Sequence, residues 1–541
     1  MWPVSDMFKN FMYFFSLVLI VGAAKGCRDM YSIYSSFSKR GVKILPVVPI
    51  YGNVFLVSMN KEHFFKTELK LRQTYPEERF VGQYIYTKPV LVLQDLELIR
   101  NVTVIDFDSF VDRNDVDHLN VDPFTAKNLY NLKANAWKNM RSIISPAFSS
   151  FRIKNMIPLM EQAAESIVTS LLSGNTFKTM DVDVSAFTSS AVMDVMANCV
   201  FGLKINSLTD PENEFIQMGN AVSVSKFYQI SYKNINESYF FSNNLNDKWF
   251  KDEYKQYFMK LVLSSIRHRQ SNRIHRPDMI HHFGEARRDR LKQSERSGGT
   301  DKEFGFASVP DSPMEKLLYR ELTDFDLVSQ AVSFFANGYD TVSSTLSFAL
   351  HELALQPEIQ ERLAQEIKLE HARQGNKVTL QSIQNMEYMD MVISETLRLW
   401  PPRTNLQRLC TKDINIGKPN PTATADYIVR RGETITIPIW AIHRDPNLFP
   451  NPNKFDPERF SEENKAKINP MSYMPFGAGS RSCIGSKFAL CELKVLLYYI
   501  LLSMEVYPSK KTCISSELAL NDSGLQLKGG HWLKFKVRPQ E

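Results

Sequence analysis

One short stretch constrains this chain more than any other, because it surrounds a single cysteine with three glycines. Residues 476–485 read FGAGSRSCIG, with Gly477, Gly479 and Gly485 around Cys483. Glycines at this density indicate a backbone that turns tightly and lets a flat group approach closely. A helix-compatible run, SKFALCELKVLLYYIL, follows, and a helix N-terminus stabilises a thiolate. A lone cysteine is more often a buried structural residue. The phenylalanine, glycines and arginine at these intervals instead favour a chemical role for Cys483.

Composition excludes several other classes of protein. The chain has 541 residues, of which 43% are apolar and 23% charged, which is typical of a globular protein and excludes wholesale disorder. A formal net charge of +6 is far from the dense basic surface of a nucleic-acid-binding protein. The six cysteines include no CxxC pair, which argues against a disulfide framework or a zinc site and favours a reducing compartment.

The first residues predict a membrane anchor. Residues 11–24, FMYFFSLVLIVGAA, carry no charge, and the nearby basic residues lie mainly after them. This asymmetry places the N-terminus in the lumen and the rest in the cytosol, and a cleaved signal peptide is the alternative. We therefore expect an anchor at 1–30, an extended basic and proline-rich linker at 31–53, and one catalytic domain at 54–541.

Two further patterns predict secondary structure. Residues 327–350 are apolar nearly all round but have Asn337 and Asp340 at their centre. Since a carboxylate in mid-bilayer costs at least ~3 kcal/mol, a helix through the core of the body fits better than a second membrane span. Isoleucines alternate with other residues from Thr434 to Ile439, which predicts a strand.

The cysteine loop resembles the signature of the cytochrome P450 haem-thiolate monooxygenases, Phe-x-x-Gly-x-Arg-x-Cys-x-Gly. Phe476, Gly479, Arg481, Cys483 and Gly485 match every fixed position. The resemblance implies a haem b cofactor with Cys483 as the axial ligand of its iron. It also implies that Phe476 packs beside the ligand and that the glycines, including 477, let the haem approach.

Other landmarks of this family occur in the family's order. Asn337-Gly338-Tyr339-Asp340-Thr341 corresponds to Ala-Gly-x-(Asp/Glu)-Thr. The resemblance implies that Thr341 hydrogen-bonds dioxygen and that Asp340 relays protons through water. Asn337 departs from the family's alanine or glycine, so its amide is expected to contact dioxygen or substrate or to narrow the pocket.

The same alignment implies two sets of charged residues. Glu395 and Arg398 match Glu-x-x-Arg, and Arg459 lies in the Pro-Glu-Arg-Phe element, so these three form a structural network. The second set is expected to contact the haem propionates: Trp137, Arg141, Arg408 and Arg481.

The resemblance covers residues 37–538 and predicts a mainly α-helical fold with a small β-rich portion. The implied activity is NADPH-dependent insertion of one atom of O2 into a lipophilic molecule, either a xenobiotic such as an insecticide or a hormone. An isomerase or lyase acting on a peroxide and a non-catalytic haem protein are the alternatives. The stretches SPAFSSFRIKNM, HRPDMIHHF and SCIGSKFALCELK resemble microsomal insect detoxification members.

The resemblance also implies partners and a location. A flavoprotein reductase, with a cytochrome b5-type donor as a second source, would supply electrons, and Lys133, Lys138 and Lys487 are candidate contacts for its acidic face. The body would lie on the cytosolic side of the endoplasmic reticulum membrane. Segments expected to line the substrate pocket are 113–130, 215–245, Phe334, Phe335, Asn337 and the turn at Thr404–Asn405.

Overall fold

A computed structural model describes residues 4–59, 61–113, 123–173, 179–223, 251–287, 305–309, 322–375, 377–520 and 525–539. Within these ranges the α-helices are α1 (Val4–Tyr34), α2 (Ser36–Lys39), α3 (Phe55–Ser58), α4 (Phe64–Thr74), α5 (Leu96–Arg100), α6 (Pro123–Ala126), α7 (Ala134–Ile144), α8 (Ser150–Ser173), α9 (Val184–Met196), α10 (Glu214–Ala221), α11 (Asp252–Ser271), α12 (Met279–Arg287), α13 (Asp324–Leu355), α14 (Pro357–Arg373), α15 (Leu380–Asn385), α16 (Glu387–Leu399), α17 (Ile439–His443), α18 (Glu462–Lys465) and α19 (Ser486–Ser503). The predicted mainly α fold is confirmed.

The described strands form three small sheets. They are β1 (Phe80–Ile85), β2 (Lys88–Leu93), β3 (Thr179–Asp183), β4 (Leu406–Leu409), β5 (Ile414–Asn415), β6 (Ile428–Val429), β7 (Thr434–Ile437), β8 (Met504–Pro508) and β9 (Trp532–Val537). The four-stranded sheet has the order β1-β2-β7-β4, the three-stranded sheet β3-β9-β8, and β5 pairs with β6.

The long apolar segment is a helix through the core, as predicted. Its N-terminus is fixed by a capping box in which the Thr323 hydroxyl and the Asp326 carboxylate accept each other's backbone N–H at 3.1 Å. The helix, α13, packs against α9, α11, α16 and α19. A Cβ at Gly338 would lie 2.7 Å from Met196 Cε, so this glycine lets α13 and α9 approach closely.

Among the described residues, the stretch that is long and apolar enough to cross a membrane is Val184–Phe201, of which 78% is buried. Burial to this extent is what a core helix requires. Of the predicted anchor at 1–30, residues 4–30 lie in α1, which is 31 residues long, and residues 1–3 lie outside the described residues.

The predicted strand at 434–439 is shorter than the alternation suggests. β7 ends at Ile437, and Pro438 precedes α17, which begins at Ile439. Proline lacks an N–H, so it cannot continue the ladder of a strand inside the sheet.

The predicted linker at 31–53 is not an extended spacer beyond Tyr34. Phe37 and Val42 are buried, and the Lys43 carbonyl accepts the N–H of Gly82 in β1 at 2.8 Å. Its apolar side chains cover one face of the sheet, so from α2 onward the segment belongs to the folded body.

Candidate active site

The loop that carries Cys483 is fixed by backbone hydrogen bonds just before α19. The N–H of Cys483 donates to the Phe476 carbonyl at 2.9 Å, and the N–H of Gly485 donates to the thiol. Gly477 and Gly479 have φ angles of +79° and +69°, a region that residues with a Cβ rarely occupy. The glycines thus bend the chain so that the sulfur projects from the loop.

The Cys483 side chain is accessible although it lies deep in the fold. The residue is exposed, yet burial raises the pKa of the thiol above its ordinary value, while the Gly485 N–H and then Arg141, Arg113 and Arg403 act to lower it. Both observations hold if the sulfur faces a space inside the protein. The arginines favour the thiolate at this position.

Arg481 fastens the cysteine loop to the segment before α7. Its guanidinium donates to the carbonyls of Val111 at 2.8 Å and Leu132 at 2.7 Å, and to those of residues 129–130 at 3.3 and 3.4 Å. The guanidinium carbon lies 4.0 Å from the centre of the Trp137 ring. All three guanidinium nitrogens, Nε, Nη1 and Nη2, thus donate to main-chain carbonyls of the segment before α7.

Further arginines approach the same place. Arg141 donates to the Ser482 carbonyl at 3.1 Å, and Arg113 to the Arg481 carbonyl at 3.0 Å. Burial, then repulsion by Arg113, Arg408 and Arg141, lowers the pKa of Arg481 to about 8. Such a concentration of positive charge is relieved when an anion binds among the guanidinium groups.

Sequence reasoning did not single out Arg113 and Arg403 as site residues. The Arg113 and Arg403 guanidinium carbons lie 4.2 and 5.4 Å from the Tyr130 ring. Arg403 directly follows Pro401-Pro402, a rigid pair that the sequence does show. Arg113 has no local signal, because it reaches the site through a contact between distant segments.

Along the middle of α13, from residue 326 to residue 354, the half-buried residues lie on one face of the helix and the others are buried. Phe334, Asn337, Gly338 and Thr341 lie on this face, at the three- and four-residue spacing of a helix. A Cβ on Gly485 would lie 3.0 Å from the Phe334 ring. Phe334 therefore brings α13 against the start of α19 and places both beside the cysteine loop.

The polar side chains of this face bond to their own helix. Asn337 Nδ2 donates to the Ser333 carbonyl at 2.7 Å, and the Thr341 hydroxyl donates to the Asn337 carbonyl at 2.7 Å. Thr345 makes the same kind of bond to the Thr341 carbonyl at 2.7 Å. Bonds of this kind bend a helix, and they hold the amide and the hydroxyl in fixed orientations.

The three residues of the predicted network lie together, Glu395 and Arg398 in the last turns of α16 and Arg459 beside them. Arg398 forms a two-point ion pair with Glu395, at 2.6 and 2.8 Å, and both side chains are fully buried. Arg459 Nε lies 3.4 Å from Glu395 Oε1, and the Asp456 N–H donates to the same oxygen at 2.8 Å. The network joins α16 to the turn Pro457–Phe460, so it supports the fold and does not reach the reacting groups.

The family model for cytochrome P450 matches residues 43–533 of this chain. The chain belongs to the cytochrome P450 family. Cytochrome P450 9e2 of Blattella germanica is 36% identical over 523 residues, covering 93% of this chain and 94% of that protein. Probable cytochrome P450 9f2 of Drosophila melanogaster is 34% identical, with 93% and 95% covered. Cytochrome P450 6k1 of Blattella germanica is also 34% identical, with 93% of each chain covered.

As a cytochrome P450, the protein is a haem-thiolate monooxygenase. It uses haem, takes electrons that originate from NADPH through a redox partner, and acts on a lipophilic substrate. The predicted resemblance to insect members of the family is confirmed, since these relatives are insect proteins.

The described residues fit a haem on physical grounds. The group needs a thiolate for its iron, cations for its two carboxylates and an apolar slot for its ring. Cys483 projects from a glycine-rich loop, guanidinium groups converge beside it, and Phe334 and Phe476 are partly buried apolar residues next to it. These features occur together at one place between α13 and α19.

Other predicted residues lie elsewhere. Lys487 is buried, so its proposed contact with an electron donor is wrong: α19 turns this side chain towards Ser150 at 3.4 Å. Asn405 donates to Glu68 Oε1 at 3.1 Å, so its amide points at α4. Phe335 is buried in the core. Most of the predicted pocket segment 215–245 lies outside the described residues.

Proposed function

We propose that Cys483 is the axial ligand of the haem iron and that Trp137, Arg141, Arg408, Arg481 and the newly noted Arg113 and Arg403 hold the propionates. The observation that carries this is the accessible thiol within a group of converging guanidiniums. Phe476, Gly477 and Gly485 form the wall of the loop. The bound haem supplies the activation of O2; the protein supplies ligand, charge and enclosure.

We assign proton delivery to Thr341 and Asp340 of α13. The Thr341 hydroxyl is held by the Asn337 carbonyl at 2.7 Å, so its oxygen can accept a hydrogen bond from water while Asp340 stands next to it in the chain. Asp340 passes protons from water to this hydroxyl. Asn337 donates to Ser333, which leaves its side-chain carbonyl to accept a hydrogen bond from substrate or water and makes Asn337 a determinant of pocket shape.

The proposed substrate is a lipophilic xenobiotic. The support is the aromatic contact on the half-buried face of α13, where Phe334 lies beside Phe148 at a ring distance of 4.9 Å. Apolar and aromatic linings suit lipophilic molecules. A hormone-like molecule would meet the same lining, and NADPH-dependent turnover of a compound panel distinguishes the two.

The proposed electron donor is a flavoprotein reductase with an acidic face, with a cytochrome b5-type protein as an additional donor. Lys133 is exposed at the start of α7, and Lys138 lies 2.6 Å from Asp108 beside it. These lysines lie on the element that carries Trp137 and Arg141, so a partner docked there is close to the haem edge. The proposed location is the endoplasmic reticulum membrane, with α1 as anchor and the body in the cytosol.

The test is the carbon monoxide difference spectrum of the dithionite-reduced protein in membranes. The wild type should show a strongly red-shifted Soret band, and Cys483→Ala should lose it while Cys513→Ala, on a half-buried free cysteine, keeps it. A band that survives Cys483→Ala refutes the ligand assignment. Turnover of a peroxide without NADPH would support an isomerase or lyase instead.

A further inference from the structure

A cluster of metal-ligating side chains lies outside the active site, where α11 is connected to α12. His275 belongs to the connection, and His281 and Glu285 lie four residues apart on one face of α12. One ligand atom of each lies within 4.8 Å of the others. We propose that His275, His281 and Glu285 form a Zn2+ site on the surface of this protein.

The distances suit a tetrahedral ion. His281 Nε2 lies 3.5 Å from Glu285 Oε1, and two ligands of a tetrahedral zinc at about 2.0–2.1 Å from the metal are about 3.3–3.4 Å apart. The rings of His275 and His281 have centres 4.4 Å apart and are inclined at 70°, so they are not stacked face to face. A small movement of the exposed His275 closes the third ligand onto the ion.

The His281 nitrogen is available for a metal. Its Nε2 is buried and has no hydrogen-bond partner among the described residues. A buried nitrogen without a partner is costly, and a bound ion would satisfy it. This observation is independent of the spacing of the cluster.

The surrounding contacts hold the ligands in place. The Asp278 carboxylate accepts the backbone N–H of His281 at 3.1 Å, which fixes the first turn of α12, and it is itself held by Arg269 at 2.7 and 2.8 Å and by Arg276 at 3.0 Å. Arg152 of α8 contacts the other oxygen of Glu285, which leaves Oε1 towards His281. Outer contacts of this kind orient metal ligands.

Chemistry selects the ion. Two imidazoles and one carboxylate are ligands that zinc prefers, whereas calcium and magnesium require oxygen ligands. Three protein ligands leave the fourth position of a tetrahedral ion for water. Water can reach this position because His275 is exposed. A bound Zn2+ would fasten the connection between α11 and α12 to α12 itself and, through Glu285, to α8.

The test is a titration of the full-length, haem-loaded protein with ZnCl2 by calorimetry, after removal of any histidine tag and in a buffer without chelators. We expect one site whose affinity falls at least about ten-fold in His275→Ala and in His281→Ala. The control is His268→Ala, an exposed histidine of α11 that bonds to Asn272 and lies outside the cluster. It should bind zinc like the wild type.

Two results would overturn the site: no zinc binding by the wild type, or equal affinities in the wild type and His281→Ala. The residues would then be an ion pair of α12 and a neighbouring ring. An unchanged carbon monoxide spectrum shows that each variant is folded. Zinc binding does not require Cys483 to be the haem ligand, so a failure here is separate from a failure of the proposed function.

Discussion

At the scale of single residues, Gly479 of the cysteine loop is a position that has no room for a side chain. Gly479 has a φ of +69°, and a Cβ there would lie 1.8 Å from the main-chain oxygen of Thr103. Neither atom is at the end of a flexible side chain, so the backbone itself would have to move. The loop and the segment after α5 are therefore built around the absence of this side chain.

We expect Gly479→Ala to abolish incorporation of haem, because the loop cannot keep its shape. Gly375→Ala is the matched control: its φ is +62°, but a Cβ there meets nothing within 4 Å. It should cost only about 1–2 kcal/mol, the penalty for a left-handed backbone. The measurement is the haem content and Soret band of both purified variants. Normal haem loading of Gly479→Ala would show that the contact with Thr103 is dispensable.

The sequence shows which residues are candidates for the site, but not the contacts that hold them in place. Cys483 and Arg481 are visible in a contiguous motif, so their proximity needs no knowledge of the fold. Arg481 donates hydrogen bonds to the carbonyls of Val111 and Leu132. These positions are about 350 residues apart in the chain, so no local sequence pattern predicts the contact. The burial of Lys487 was missed for a similar reason, since the face of α19 that turns inward depends on its neighbours.

At the scale of elements, the long helix α13 and the alternating strand β7 were predictable from their sequence patterns, whereas the buried strand β1 was not. The apolar run of α13 exceeds the length of any strand, so its type follows from length alone. β1 is buried along almost its whole length, because the segment after α1 covers its second face. A strand covered on both faces shows no alternation, so its sequence, FVGQYI, gave no clear signal.

The buried network of Glu395, Arg398 and Arg459 at the end of α16 leads to a prediction at this scale. Glu395→Gln places an amide N–H against the Arg398 guanidinium and leaves that buried charge without its partner. We expect a loss of about 3–5 kcal/mol of stability. Glu458→Gln, in an exposed pair with Arg362, is the control and should cost at most about 1 kcal/mol. The urea concentration that removes half of the Soret band measures both, and similar midpoints would contradict a role for the network in the fold.

A second prediction concerns the contact of α4 with the turn before β4. Burial raises the pKa of Glu68 from 4.5 to about 8, although its hydrogen bond to Asn405 acts to lower it. Between pH 4.5 and pH 8 the folded protein therefore holds a proton that the unfolded chain releases. Stability from this group is complete at low pH and falls as pH rises through that window, by up to about 1.4 kcal/mol per pH unit.

Glu68→Gln should remove this dependence, because an amide does not titrate. We expect the difference between the urea midpoints at pH 6 and pH 8 to be smaller in Glu68→Gln than in the wild type. Glu77→Gln changes an exposed glutamate a few residues further along and should behave like the wild type. Equal pH dependence in all three proteins would mean that Glu68 is ionised in the fold.

At the scale of the whole molecule, the structure combines a long helix with a body that begins directly after it. α1 has 31 residues, about 47 Å at 1.5 Å per residue, which is enough to cross a bilayer. Phe15, Leu17, Ile20 and Val21 are exposed on it, as expected of side chains that face lipid. Phe37 is already buried in the body, so only a few residues separate the proposed anchor from the fold.

This boundary leads to a prediction with two deletions. Removal of residues 2–30 should release the protein from carbonate-washed membranes and leave the carbon monoxide band intact, because the core of the body is untouched. Removal of residues 2–44 also takes away Phe37, Val42 and the cover of β1, so it should lose the band through misfolding. Fractionation by centrifugation and the difference spectrum measure both. Membrane retention of the 2–30 deletion after a carbonate wash would show that another part of the chain is embedded. An intact carbon monoxide band in the 2–44 deletion would show that residues 31–44 are only a spacer and are not needed for the fold.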